Sequence, residues 1–242
     1  MILIINKKMM NVVIALVLIV VFITAGIFIY NWKSDSRSVF LPTQIPKPIN
    51  TGTNNKYIAF TMNVDWGNEV IPDILKTLRE KNVKITFFVT GRWAKEYPEL
   101  FQSIIKEGHE IGSHGYHHLN YGNLNLAQNE EEIKMAEKEI MKNTSIKPIY
   151  FAPPSGSYNE STLAAADKLG YKTILWSIDT IDWRQGSTEG VILQRVLEKK
   201  QHEGAIVLMH PMPETAKALP QLIDKLREKG LEVGSITDIL RE

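Results

Sequence analysis

The sequence predicts an α/β domain, a (β/α) barrel on a parallel sheet, preceded by an N-terminal transmembrane helix. Three observations predict it. Short apolar runs alternate with longer amphipathic stretches from residue 56 to 242. Polar residues able to do chemistry recur at the C-terminal ends of those runs, the face on which barrel sites are built. An uncharged apolar run lies near the N-terminus.

That run, VVIALVLIVVFITAGIFIY from Val12 to Tyr30, spans roughly 28 Å as a helix, close to a hydrocarbon core. Lys7 and Lys8 precede it, and Lys33 and Arg37 follow with Asp35 between them, so charge favours a cytoplasmic N-terminus only weakly. A cleavable signal peptide would need a shorter apolar stretch ending in small residues. Bulky residues continue beyond Ala25 and Gly26, which favours an uncleaved anchor over residues 1–32. The remainder is then placed outside the cell membrane. Residues 33–55, with Pro42, Pro46 and Pro48, read as a linker. Residues 56–242 are the size of one domain. A net charge of +1 shows none of the basic excess of a nucleic-acid binder. With no cysteine, a transition metal has only histidine and carboxylate to hold it.

Along the domain, YIAFTMNV reads as a strand, VIPDILKTLREK as a helix, KITFFVT as a strand, PELFQSIIKEG as a helix and HEIGSHG as a strand. Helix QNEEEIKMAEKEIMKN, strand IYFAPP, helix STLAAADKLG and strand KTILWSID follow. Helix GVILQRVLEKKQ, strand AIVLMH, helix ALPQLIDKLREKG and a last strand near LEVGSI complete seven βα units. Helical crossovers make the strands parallel, and their near-continuous apolar runs mark them as buried on both faces. An open doubly wound sheet fits the same pattern, since it too collects its sites at strand ends.

The strand ends carry Asn63 and Asp65, then His114, His117 and His118, then Pro153 to Asn159, then Asp179, Asp182 and Trp183, and finally His210. His114, His118 and Asp65 make a candidate three-ligand site for zinc or a similar divalent ion with one position left for water. The spacing of four brings the two imidazoles to one side if Gly115–His118 forms a helical turn. By spacing alone they read rather as polar loop histidines, since H-x-x-x-H is a common pattern. His117 should point elsewhere, and the helix dipole suffices to explain His109 and His202. Trp66, Trp176 and Trp183 read as packing or rim residues, with only Trp183 following a candidate acid. Asp182 with His210 suggests an acid/base relay or a structural ion pair. The turn PPSGSYN could aim backbone N–H groups at an oxyanion.

Taken in order, TMNVDWG, SHGYHH, FAPPSGSYN, DTIDW and LMH resemble the five motifs of the polysaccharide deacetylase family, the NodB-homology carbohydrate esterases, in the branch found in spore-forming bacteria. The resemblance implies a distorted (β/α) barrel that removes N-acetyl groups from cell-wall amino sugars, peptidoglycan or chitin-like, with a divalent metal such as zinc. It assigns His114 and His118 to the metal, His210 to general acid catalysis and Asp182 to tuning that histidine. Trp183 and Leu208 would line an acetyl pocket, and the Tyr158 backbone would help bind the oxyanion. Two positions depart from the pattern. Asn63 stands where the family has its base aspartate, and Ala152 where it has the arginine that holds that base. Asp65 is then the remaining carboxylate of the first motif. A catalytically silent glycan-binding protein on the same fold is the alternative, and a hydrolase of another non-peptide C–N bond a third.

Overall fold

The centre of the fold is β1, Tyr57–Val64, an apolar run that pairs in parallel with three other strands. The computed structural model describes Asn11, Ile14, residues 16–26 and residues 45–241. Within the domain, strands β2 (Thr86–Val89), β3 (Glu110–Ser113), β4 (Tyr150–Phe151) and β5 (Lys172–Thr173) extend the sheet on one side of β1. β7 (Ile206–Met209) and β6 (Ile178–Asp179) extend it on the other, and β8 (Glu232–Gly234) pairs with the N-terminal half of β1. All eight strands are parallel, as expected for runs separated by helices.

The single strand expected over KTILWSID is instead two strands, β5 and β6, at opposite edges of the sheet. Only Ile174–Ser177 separates them, which reaches at most ~18 Å even fully extended. The edges must therefore approach each other, so the sheet curls into an incompletely closed barrel rather than lying open. Residues of the expected linker bridge the seam. Ile49 donates to the Thr173 carbonyl (2.9 Å) and accepts from the Leu175 N–H (2.8 Å), while Gly52 donates to the Gly204 carbonyl (2.7 Å) at the entry to β7. Thr53 and Asn54 then bond to the Ile239 carbonyl. The stretch expected as a solvated tether thus joins the domain from Ile49 onward.

The helices are α1 (Ile71–Glu80), α2 (Gly91–Glu96), α3 (Pro98–Lys106), α4 (Leu126–Asn143), α5 (Glu160–Lys168), α6 (Glu189–Leu197), α7 (Pro213–Glu228) and α8 (Ile236–Leu240). Asn125 and Asn159 close capping boxes at the starts of α4 and α5. Pro213 opens α7 five residues before the sequence pattern placed it, because proline's missing N–H costs nothing in a first turn. The short helices α2 and α8 were not expected. Each is capped by a hydroxyl, Thr90 or Ser235, that directly follows a strand.

Alternation along β1 divides the core. Ile58, Phe60, Met62 and Val64 join the large apolar cluster shared with α1, α3, α6 and α7. Ala59 belongs to a second cluster with Phe88, Ala152, Ile206, Ile236 and Ile239. Period-two alternation then puts Thr61 and Asn63 on the Ala59 side of the strand.

The expected membrane span Val12–Tyr30 lies partly outside the described residues. Residues 16–26 are helical, and among the described residues no helix is long and apolar enough to cross a membrane.

Gly204 has φ +68°, and a methyl group there would run into the Gly52 carbonyl oxygen. Gly204→Ala is therefore expected to destabilise the protein by about 1–3 kcal/mol, from strain and overpacking at the seam. Urea unfolding of the two proteins checks this.

Candidate active site

The C-terminal ends of six strands, β1 and β3 to β7, converge on one cavity of about 320 Å³. Its lining combines Asn63 and Trp66 after β1, His114 and His118 after β3, Trp183 after β6, and Leu208 and His210 at β7. Ser155, Trp176 and Asp179 complete it.

His114 is buried, and its Nδ1 donates to the Ala152 carbonyl oxygen at 2.6 Å. That bond fixes the tautomer and leaves Nε2 as an unprotonated acceptor. Burial, with the neighbouring His118 charge, pushes its pKa down to about 3, so the ring is neutral at any ordinary pH. His118 is likewise lowered by burial. The two ring centroids are 5.1 Å apart. No helical turn brings them together. Residues 114–118 form a bend in which Gly115 (φ +74°) and His118 (φ +58°) both take the left-handed conformation. A non-glycine residue held there stores of order 1–2 kcal/mol, a cost tolerated mostly where geometry serves a site.

His210 is gripped by Asp182. Its backbone N–H donates to Oδ2 at 2.7 Å and its Nδ1 to Oδ1 at 2.8 Å, while the Thr215 hydroxyl adds 2.7 Å to Oδ2. Asp182 is reached through Ile181, a β-branched residue at φ +52° whose N–H is held by Asp179 Oδ1 at 2.7 Å. The Trp66 ring stacks on His210 at 5.5 Å, with 8° between planes, and meets His118 edge-on at 5.8 Å.

Asp65 is seated differently from the expectation. Arg92 grips both carboxylate oxygens, Nε to Oδ1 at 2.8 Å and a terminal nitrogen to Oδ2, and the Thr90 hydroxyl donates to Oδ1 at 2.7 Å. Burial works to raise this carboxyl, but the bonds from Arg92 and Thr90 outweigh it and hold the pKa below the ordinary value. Among the described residues no three histidine or carboxylate side chains converge to hold an ion. The two neutral imidazoles fit a divalent ion, whereas the carboxylate, as seated, is turned to a guanidinium.

Of the residues expected at the site, His114, His118, His210, Trp183 and Leu208 line the cavity and Asp182 stands behind His210. Asp65 and Tyr158 do not line it. His117 points away to Glu132, Nδ1 to Oε1 at 2.6 Å. Asn63 is buried with its Oδ1 unpartnered, and Ala152 packs in an apolar cluster, so neither has a charged partner. Sequence reading did not single out Arg92, although its place just past β2, next to β1 in the sheet, was the available signal. Trp66, read as packing, contacts two of the three site histidines.

Buried histidines make stability depend on acid. His114 (about 3) and His109 (about 4, lowered by burial) lie below the 6.5 of an unfolded chain. Between about 6.5 and 4 the unfolded chain therefore takes up protons that the folded one refuses. Their contribution is full above 6.5 and is lost as pH falls, by up to about 1.4 kcal/mol per pH unit for each group. His109→Gln should flatten that slope in denaturation series run across this range.

The polysaccharide deacetylase family model matches residues 50–174. The protein YlxY of Bacillus subtilis is 38% identical over 206 residues, 85% of this chain, which spans 64% of YlxY's length. The peptidoglycan-N-acetylmuramic acid deacetylase PdaA of the same organism is 33% identical over 193 residues, 78% of this chain and 73% of PdaA. In solved structures, the carbohydrate esterase family 4 pseudoenzyme BA3943 of Bacillus anthracis superposes with a TM-score of 0.78 at 42% identity, covering 81% of this chain and 70% of that one. A mutant of it described as having restored enzymatic activity superposes equally well, at 41% identity. The curled parallel sheet, the histidines at its strand ends and these likenesses together establish that the chain belongs to the polysaccharide deacetylase family of hydrolases.

Proposed function

We propose that this chain is a metal-dependent N-deacetylase of cell-wall amino sugars, of the peptidoglycan kind, anchored by Val12–Tyr30 with its domain outside the membrane. One observation carries the reading: the imidazoles of His114 and His118 and the Asp182-bound His210 open into the same cavity as Trp183 and Leu208. The names of relatives such as PdaA support the substrate class. The apolar run supports the anchor, and alkaline extraction of membranes should leave the chain in the pellet.

His114 and His118 would hold the ion, zinc by their chemistry, and a bound ion would supply Lewis acidity at the acetyl carbonyl. Leu208 and Trp183 would pack the acetyl methyl group, while the N–H of Tyr158, the oxyanion donor that the resemblance implies, lies outside the cavity lining. His210 would give a proton to the departing amine from Nε2, since Nδ1 is committed to Asp182. The Asn63 amide cannot accept the proton of the attacking water. Asp179 is the one carboxylate lining the cavity among the described residues, and it is left to take that proton.

A second reading, a catalytically silent glycan-binding protein, is favoured by Asn63, Ala152 and the engagement of Asp65 with Arg92. Trp66, Tyr158 and Trp183 are exposed and could still stack on sugar faces.

The full chain incubated with zinc and N-acetylglucosamine oligomers or peptidoglycan should release acetate slowly. Asp179→Asn should abolish that release. Asn63→Asp with Ala152→Arg should raise it about 100-fold, the size of a general-base contribution. No acetate from either protein, with glycan binding retained, would leave the second reading standing.

A further inference from the structure

Arg92 holds both oxygens of Asp65, the one carboxylate left in the first motif. A carboxylate offers about four acceptor sites, and Arg92 and Thr90 occupy three of those on Asp65. The arrangement is built rather than incidental. Thr90 both donates to Asp65 and caps the helix that carries Arg92, accepting the Trp93 N–H at 3.3 Å. Gly91 and Arg92 donate their backbone N–H groups to the carbonyls of Gly115 and Tyr116, within the loop between His114 and His118. A Cβ at Gly91 would meet the Tyr116 ring, so the close docking of helix on loop depends on glycine there. The Asp65 side chain is 4% exposed while the Arg92 side chain is 50% exposed. The cation therefore has a route to solvent and the carboxylate has none.

We propose that Arg92 is an internal competitor for the divalent ion: its guanidinium neutralises Asp65, and full coordination by Asp65, His114 and His118 requires the guanidinium to swing out and the freed carboxylate to turn toward the two histidines. The proposal rests on the metal reading of the two histidines. A zinc ion at the ~2 Å of a carboxylate bond would face a fixed positive charge on the same carboxylate, so the two cations exclude each other. Displacement of an exposed arginine makes metal affinity a property of the latch as well as of the ligands.

The test is zinc affinity of the full chain, read by competition with a chromophoric chelator. Arg92→Met, which keeps the aliphatic stem and removes the charge, should bind zinc at least about 10-fold tighter than the parent. Arg92→Lys, still charged but unable to grip both oxygens, should fall between. His118→Ala in the Arg92→Met background should lose the gain. Circular dichroism establishes that each variant is folded. Equal or weaker zinc binding by a folded Arg92→Met overturns the latch and leaves the metal reading intact. No zinc binding by either protein removes both.

Discussion

Everything at the site depends on the hydrogen bonding of β1. Its backbone is shared with β2, β7 and β8, and its side chains are buried almost from end to end, so it has no freedom of register. A slip of one residue would turn Ile58, Phe60, Met62 and Val64 away from their cluster and send the opposite set into it. That constraint fixes where Asn63 and Asp65 emerge. The flanking pairings of β2 with β3 and β7 with β6 carry Thr90, His114, Asp182 and His210 to the same end.

The chain stores conformational strain around this end. Among the described residues the non-glycine positions with positive φ are Asn82, His118, Ser155 and Ile181. Two of them, His118 and Ser155, line the cavity, and a third positions Asp182. Such conformations persist only where the surroundings over-determine them. Here the surroundings are specific: Asp179 Oδ1 takes the Ile181 N–H, and Ser155 stands next to Gly156, where an added Cβ would run into the Trp176 ring.

Much of this was legible in the sequence because it is written in local patterns. The succession of strands and helices and the parallel sheet followed from apolar runs alternating with amphipathic ones, and His114, His118 and His210 stood out by their places at strand ends. What was not legible depended on distance in the fold. The division of KTILWSID into two edge strands reflects curling of the whole sheet, which no window of residues encodes. The helical turn that the spacing of His114 and His118 would have required is replaced by a bend, because the loop is tied to Gly91 and Arg92, more than twenty residues earlier in the chain. Arg92 itself was invisible, since an arginine two residues past a strand reads as solvated until a buried carboxylate is found facing it. The departures at Asn63 and Ala152 were visible, but their consequence, an unpartnered amide oxygen in one case and apolar packing in the other, is a property of the folded interior.

The strap at Ile49 bears on where the domain can be cut. Along β5, the Lys172 N–H and the Ile174 N–H face β4, while the Thr173 carbonyl and the Leu175 N–H face Ile49. A fragment beginning at Lys56, the boundary composition alone proposes, would leave those last two groups bare at the rim of a parallel sheet. Bare strand edges recruit other chains. Trimming the protein at that apparent boundary would therefore leave the seam of the barrel open and prone to aggregation, with the residues lining the cavity untouched.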